Sequence, residues 1–204
     1  MKYLSYLIII ICLFSCQSKV DKHINLESYS QGIETLRQVD TVGNTDYPKA
    51  LSLFEESVKT NPNHIESRYW KALCEIHMNK LEEALQTSEL TIKKFEMEEH
   101  SLMPSFLIYA GIIERINENM DSANVYFIQA KYEYEKRFKK DENDFAALMN
   151  ISFVLSCMDK NEEALEFISS VKITNDNKEL LEQIKADIED YDIDKALKML
   201  TNIY

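Results

Sequence analysis

Along much of the chain, apolar side chains recur three and four positions apart, with polar residues filling the intervals. Ile108, Ile112 and Ile116, joined by Ala110 and Ile113, make one such stripe; Leu148, Ile151, Val154 and Leu155 make another. This spacing fits the 3.6-residue turn of an α-helix buried along one side. Clusters of turn formers separate the stripes: Asn61-Pro62-Asn63, Asp141-Glu142-Asn143-Asp144 and Thr174-Asn175-Asp176-Asn177. Only 3 Gly and 3 Pro occur in 204 residues, well under the average usage of about 7% and 5%. Little is therefore available for the turns of hairpins or sandwiches, and an all-α fold is predicted.

One phrase recurs within these helices. Tyr47-Pro48-Lys49-Ala50-Leu51, Leu81-Glu82-Glu83-Ala84-Leu85, Met120-Asp121-Ser122-Ala123-Asn124 and Asn161-Glu162-Glu163-Ala164-Leu165 are clear copies, and Ile193-Asp194-Lys195-Ala196-Leu197 is a fainter one. From alanine to alanine the steps are 34, 39, 41 and 32 residues, the range in which stacked helical hairpins repeat. Two antiparallel helices approach closely only where small side chains meet, because the residues at the crossing set the distance between axes. Ala72 facing Ala84 and Gly111 facing Ala123 provide such crossings, and Ala50, Ser152 and Ala164 hold the corresponding places. A glycine inside a helix costs about 1 kcal/mol relative to alanine, so Gly111 requires a packing reason. Close approach is that reason.

The residues around these alanines resemble the tetratricopeptide repeat, in which a large and a small residue on a first helix precede alanine, a bulky residue and proline on a second. Ala50, Phe54, Ser57 and Pro62 fit the first copy; Tyr69, Trp70, Ala72, Ala84 and Ser88 the second; Gly111, Ala123, Phe127 and Ala130 the third; Ser152, Ala164 and Ile168 the fourth. In the fifth, Ile184 stands where a small residue is usual, and insertions after Phe95 and Phe138 stretch two of the steps. The resemblance covers residues 26–204 and implies a right-handed α-solenoid of about five helical hairpins. It also implies that the first helices line a groove. The positions so exposed would be Glu66, Tyr69, Leu73 and His77, then Ser105, Ile108, Tyr109, Ile112 and Arg115, then Met149, Asn150, Phe153 and Ser156.

That lining is apolar and aromatic, without the Lys, Arg and Asn clamp of family members that grip acidic carboxyl-terminal tails. An exposed apolar groove suits a partner helix or extended peptide; alternatively, these side chains pack against the next hairpin or the chain's own tether. A second aromatic group, Tyr126, Tyr132, Tyr134 and Phe138, flanks the core position Phe127 along one helix. It is expected to cover the insertion, with a convex interface as the other reading.

The amino-terminal end reads differently. Met1-Lys2-Tyr3 is followed by twelve residues, Leu4 to Ser15, that are largely apolar and end at Cys16. Such a run is too short for the hydrocarbon core, which needs about 20 residues, so 1–15 reads as a secretory signal. Leu13-Phe14-Ser15-Cys16 resembles the bacterial lipobox, which implies acylation of Cys16, a lipidated tether over 16–26 and a folded domain over 27–204. Gln17, with no Asp there, resembles lipoproteins sent to the outer membrane, and Lys19 and Lys22 around Asp21 favour the periplasmic face.

Charge acts mainly by exclusion. With 23 basic and 35 acidic residues the chain carries a formal charge of −12, which disfavours nucleic acid and anionic lipid as partners. Cys74 and Cys157 fall in different hairpins and are expected to be buried apolar residues without a bridge. Cys74 and His77 share a helix face, but two ligands do not make a zinc site. Asp190-Tyr191-Asp192-Ile193-Asp194 begins like a calcium loop, yet its sixth and twelfth positions are Lys195 and Thr201, not Gly and Glu.

Glu82-Glu83 and Glu162-Glu163 recur just before the alanines and are read as helix caps. No nucleophile, phosphate-loop or paired-carboxylate motif is present, so no catalysis, metal or cofactor is expected. The expected function is a lipid-anchored envelope scaffold that binds a protein or peptide through its groove. The alternative is a ligand-capture subunit of an uptake system, with Tyr69, Trp70 and Tyr109 gripping a carbohydrate or peptide.

Overall fold

The computed structural model describes residues 26–38, 44–96, 100–172 and 178–190. Among them nine helices follow in order: α1 Glu27–Arg37, α2 Tyr47–Thr60, α3 Ile65–His77, α4 Leu81–Lys94, α5 Met103–Ile116, α6 Met120–Lys140, α7 Phe145–Cys157, α8 Asn161–Ser170 and α9 Lys178–Glu189. No β-strand occurs among the described residues, so the chain is all-α as its pattern predicts. Each helix packs chiefly on its neighbours in sequence; in addition α3 touches α5, and α7 touches α9. The signal segment, Cys16 and most of the tether lie outside the described residues, as do Thr174–Asn177 and the fifth copy around Ala196. No described helix is long and apolar enough to cross a membrane.

Three of the hairpins turn in the same way. Asn79, Glu118 and Asp159 have φ of 55°, 62° and 59°, each one residue past the C-cap of α3, α5 and α7. The next amide then reaches back across the end of the helix: Lys80 N–H to Glu75 C=O (2.8 Å), Asn119 to Glu114 (2.8 Å) and Lys160 to Leu155 (2.9 Å). This is a Schellman closure, in which a left-handed residue satisfies carbonyls the helix would leave bare. Asn and Asp tolerate that conformation better than most residues; Glu118 does so with less ease.

Past each turn the alanine sits at one fixed place. Ala84, Ala123 and Ala164 donate their N–H to the carbonyl of the residue just before the second helix, at 3.0, 2.9 and 3.0 Å, and Ala50 does the same to Asp46 at 3.1 Å. All four are wholly buried. Opposite the alanine turn, Gly111 lies so close to Phe127 that an added Cβ would meet ring atom Cε1 at 2.6 Å. The first hairpin contains the same device, since a Cβ on Gly32 of α1 would meet Cε1 of Phe54 at 2.7 Å. Gly32 was not among the expected crossing residues, although Tyr29 stands three positions before it as Tyr69 stands before Ala72.

Helix starts follow the caps. Asp46 and Asp144 accept N–H bonds from Lys49 and Ala147 at 3.0 and 2.9 Å. Glu82-Glu83 and Glu162-Glu163 occupy first turns but make no side-chain cap. The capping expectation is corrected on this point: these carboxylates act as charges at the positive end of the helix dipole. The insertion after Phe138 proves to be helix extension, making α6 21 residues long against 14 for α4 and 10 for α8. Phe138 is held against Phe167 at 5.8 Å, and Arg137 is tied to Asp144 at 2.8 Å.

Candidate functional site

The first helices α3, α5 and α7 bring the expected groove residues into one file, but most of them are closed over. Tyr69, Leu73, Ile108, Tyr109, Ile112 and Asn150 are buried. The cause is the contact between successive first helices. Tyr69 of α3 stacks on Tyr109 of α5 at 5.6 Å and meets Phe106 edge-on at 6.2 Å, while Trp70 stands against Tyr69 at 5.2 Å. Aromatic pairs in such geometry add about 0.5–1.5 kcal/mol beyond their buried area. The expected exposure is corrected accordingly: in the second and third hairpins these side chains join helices, and do not face solvent.

Arg115 is likewise engaged. Its guanidinium donates to Cys157 C=O (2.7 Å) and to Asp159 Oδ1 (3.0 Å), with Oδ2 at 2.9 Å. It therefore clasps the end of α7 and the left-handed turn that follows, where a cation suits the negative end of the helix dipole.

The file opens between α7 and α9. Met149 and Phe153 remain half-buried there, beside Ser152, Ser156, Ile184, Asp187 and Ile188. The enclosed space is about 20 Å³, the scale of a single water. The Ser156 hydroxyl is buried in the protein without a hydrogen-bond partner, and so is Asn150 Oδ1 on the same helix. A buried polar atom left unpaired costs about 1–3 kcal/mol, so this end of the file is the least satisfied part of it.

Cys74 and His77 do share one face of α3, yet they do not form a metal site. Cys74 is wholly buried, and burial, then the Glu75 carboxylate, pushes its thiol up to about 12. His77 stacks flat on Tyr47 at 4.4 Å, and burial pulls its imidazole down to about 4. Neither Cys74 nor Cys157 is bridged, and both are buried, as expected. Between the two, buried Glu75 pairs with Lys71, which also donates to Thr87 Oγ1 at 2.7 Å. Burial raises the Glu75 carboxyl above its ordinary range despite that lysine.

One polar network was not foreseen. His64 Nδ1 lies 2.6 Å from Ser67 Oγ, and Ser67 Oγ lies 2.7 Å from Ser57 Oγ. On its other side His64 Nε2 faces Glu66 Oε2 at 3.3 Å, while His100 Nε2 stands 3.8 Å from Glu66 Oε1. Leu102 N–H donates to His100 Nδ1 at 3.2 Å, which places the His100 ring proton on Nε2, toward the carboxylate. Burial is the main cause that lowers His64, with Glu66 opposing it and His100 adding to it. The residue types are those of an acid–base relay, but Ser57 and Ser67 are wholly buried, so no nucleophile is presented. The network fastens α2, the start of α3 and the segment before α5. In sequence its only trace is the string His64-Ile65-Glu66-Ser67 at a helix start. No cluster of three or more His, Cys, Asp or Glu among the described residues is arranged to hold a metal ion.

No protein-family model, curated protein or solved structure matches this chain.

Proposed function

We propose that the chain is a lipid-anchored scaffold of a Gram-negative cell envelope that holds another envelope protein or peptide. In this reading it is a tetratricopeptide-like, right-handed stack of about five hairpins on the periplasmic side of the outer membrane, fixed there through Cys16. What supports the repeat assignment is the fixed place of Ala50, Ala84, Ala123 and Ala164 at the start of successive second helices and the recurrence of one left-handed turn at Asn79, Glu118 and Asp159. The anchor rests on the sequence of residues 1–17.

The observation that carries the binding half is the cleft between α7 and α9, where Met149 and Phe153 stay half-exposed beside the unpaired Ser156 hydroxyl. A partner segment laid over Met149 and Phe153, with a polar group or a water reaching Ser156, would cover it. The uptake reading is less favoured, because Tyr69 and Tyr109 are buried against each other and are not presented to a solute.

Crosslinking and recovery from envelope membranes tests the scaffold, comparing the parent chain with Phe153→Glu and Met149→Glu. A discrete protein species held by the parent and lost from both variants, with their thermal melting unchanged, is the expected result. Recovery of the same species by all three would remove the cleft from the account. For the anchor, Cys16→Ser should abolish incorporation of labelled fatty acid; persistent labelling would refute acylation at that residue.

A further inference from the structure

Charge around the cleft between α7 and α9 is one-sided. No Asp, Glu, Lys, Arg or His occurs in α7 from Phe145 to Cys157, so α9 supplies whatever charge the walls carry. Leu180, Gln183, Asp187 and Asp190 follow one another three and four positions apart and share one edge of that helix. Asp187 lines the cleft half-buried, and Asp190 is exposed beyond it. Lys178 and Lys185 lie on the opposite side of α9 by phase, together with Glu182 and Glu189, and Lys185 is tied to Glu182 at 3.6 Å. The remaining acid of the helix, Glu179, is exposed outside the edge. At the end of α7, Arg115 is engaged with Cys157 C=O and Asp159, and Lys160 with Glu163 at 3.2 Å.

Asp187 receives one hydrogen bond, from Gln183 Nε2 to its Oδ1 at 2.8 Å, and no cation among the described residues pairs with it. A carboxylate can accept several such bonds, so most of its capacity stays open. Ser156, 3% exposed, lines the same cleft from the other helix, and its hydroxyl has no partner. The enclosed space of about 20 Å³ admits a water and no side chain. A ligand therefore lies over the mouth, across Met149 and Phe153, and reaches Ser156 through that water.

We infer that the segment held in this cleft is basic: a stretch of another protein that lays an apolar side chain over Met149 and Phe153 and sets a Lys or Arg against Asp187. The inference rests on the cleft being the binding site of the proposed scaffold. Lys and Arg cover apolar surface with their stems while the charged head stays in water, which suits a mouth with an apolar floor and a carboxylate edge. An acidic segment would meet Asp187 and Asp190 with no base on that edge to answer it, and like charges brought together exclude a partner. The formal charge of −12 acts at longer range in the same direction, drawing a basic segment in.

A benzoylphenylalanine photocrosslinker in place of Met149, in the full chain in its native membranes, tests the chemistry directly, with the attached peptide sequenced by mass spectrometry. The expected product is a segment of another protein with Lys or Arg within one helical turn of the joined residue. Asp187→Asn keeps an acceptor for Gln183 and removes the charge; at matched thermal melting it should lower the yield severalfold, and Asp187→Lys should lower it further. Glu189→Gln removes the same charge on the opposite side of α9 and should leave the yield unchanged. Equal yields from Asp187→Asn and Glu189→Gln, an attached segment without Lys or Arg, or attachment to residues 191–204 of the chain itself would each overturn the proposal. If Phe153→Glu still abolishes a crosslink to another protein in the first two cases, only the basic character of the segment is lost. Absence of any attached protein from the parent would remove the scaffold reading with it.

Discussion

The first and third hairpins close on a phenyl ring, and the second and fourth do not. Gly32 faces Phe54 and Gly111 faces Phe127; in the equivalent places the second hairpin has Ala72 and Ser88 and the fourth has Ser152 and Ile168. Where the second helix brings a large ring, the first has given up its Cβ. Where the second helix brings less, the first retains a methyl or hydroxymethyl group. In the first, third and fourth hairpins bulk on the second helix is matched by a small residue on the first, as dense interior packing requires; in the second, Ala72 and Ser88 are both small.

The largest expected effect breaks this comparison directly. Phe127→Ala should cost about 3–5 kcal/mol, as for other buried phenylalanines, whereas Ser88→Ala, at the matching place, should cost about 1 kcal/mol or less. Equal costs in denaturant unfolding would mean that the phenyl ring does not set the third crossing apart from the second. Next in size is a pH effect confined to the second hairpin. An unfolded His77 titrates near 6.5 and the folded one near 4, so between those values the unfolded chain holds a proton that the folded chain lacks. Stability should therefore fall as pH drops from about 6.5 to about 4, by up to about 3 kcal/mol, and level off below. His77→Phe should flatten that slope; a parallel curve for the variant would assign the effect elsewhere.

Gly111→Ala should destabilise by about 1–3 kcal/mol through overpacking, although alanine is the better helix former by about 1 kcal/mol. Adding Phe127→Leu should recover much of the loss, because it withdraws the ring atoms that the new Cβ would strike. Additive costs in a double-mutant cycle would contradict direct contact between the two. The smallest effect compares turns. Glu118→Gly should stabilise by about 0.5–1 kcal/mol, because glycine adopts positive φ without steric cost, while Asn79→Gly should change little. A loss of stability at Glu118 would indicate that its side chain is needed there.

Much of the architecture was legible because its determinants are local. Ala84, Ala123 and Ala164 announced the helix starts, and Asn61–Asn63 and Asp141–Asp144 announced the breaks, since capping and turn chemistry depend on residues a few positions apart. What escaped depends on contacts between hairpins. The family resemblance, read by helix phase, put Tyr69, Ile108 and Ile112 on a groove and left open whether they pack on the next hairpin; how far successive first helices lean together is set by the side chains between them, here Phe106, Tyr109 and Trp70. Gly32 went unnoticed because its partner, Phe54, lies 22 positions on. The His64–Glu66–His100 group was missed for the same reason: His100 reaches Glu66 only once α4 has carried the chain back.

Because each helix leans chiefly on those beside it in sequence, assembling the fold closes short loops and few long ones. Closure entropy grows with loop length, and helical domains built from local contacts refold in microseconds to milliseconds. The Arg115 clasp, which spans 42 residues to Cys157, is among the most distant links in the chain and belongs to the last events of that sequence. Newly made protein would therefore acquire its helical pairs early, and the ties between them late.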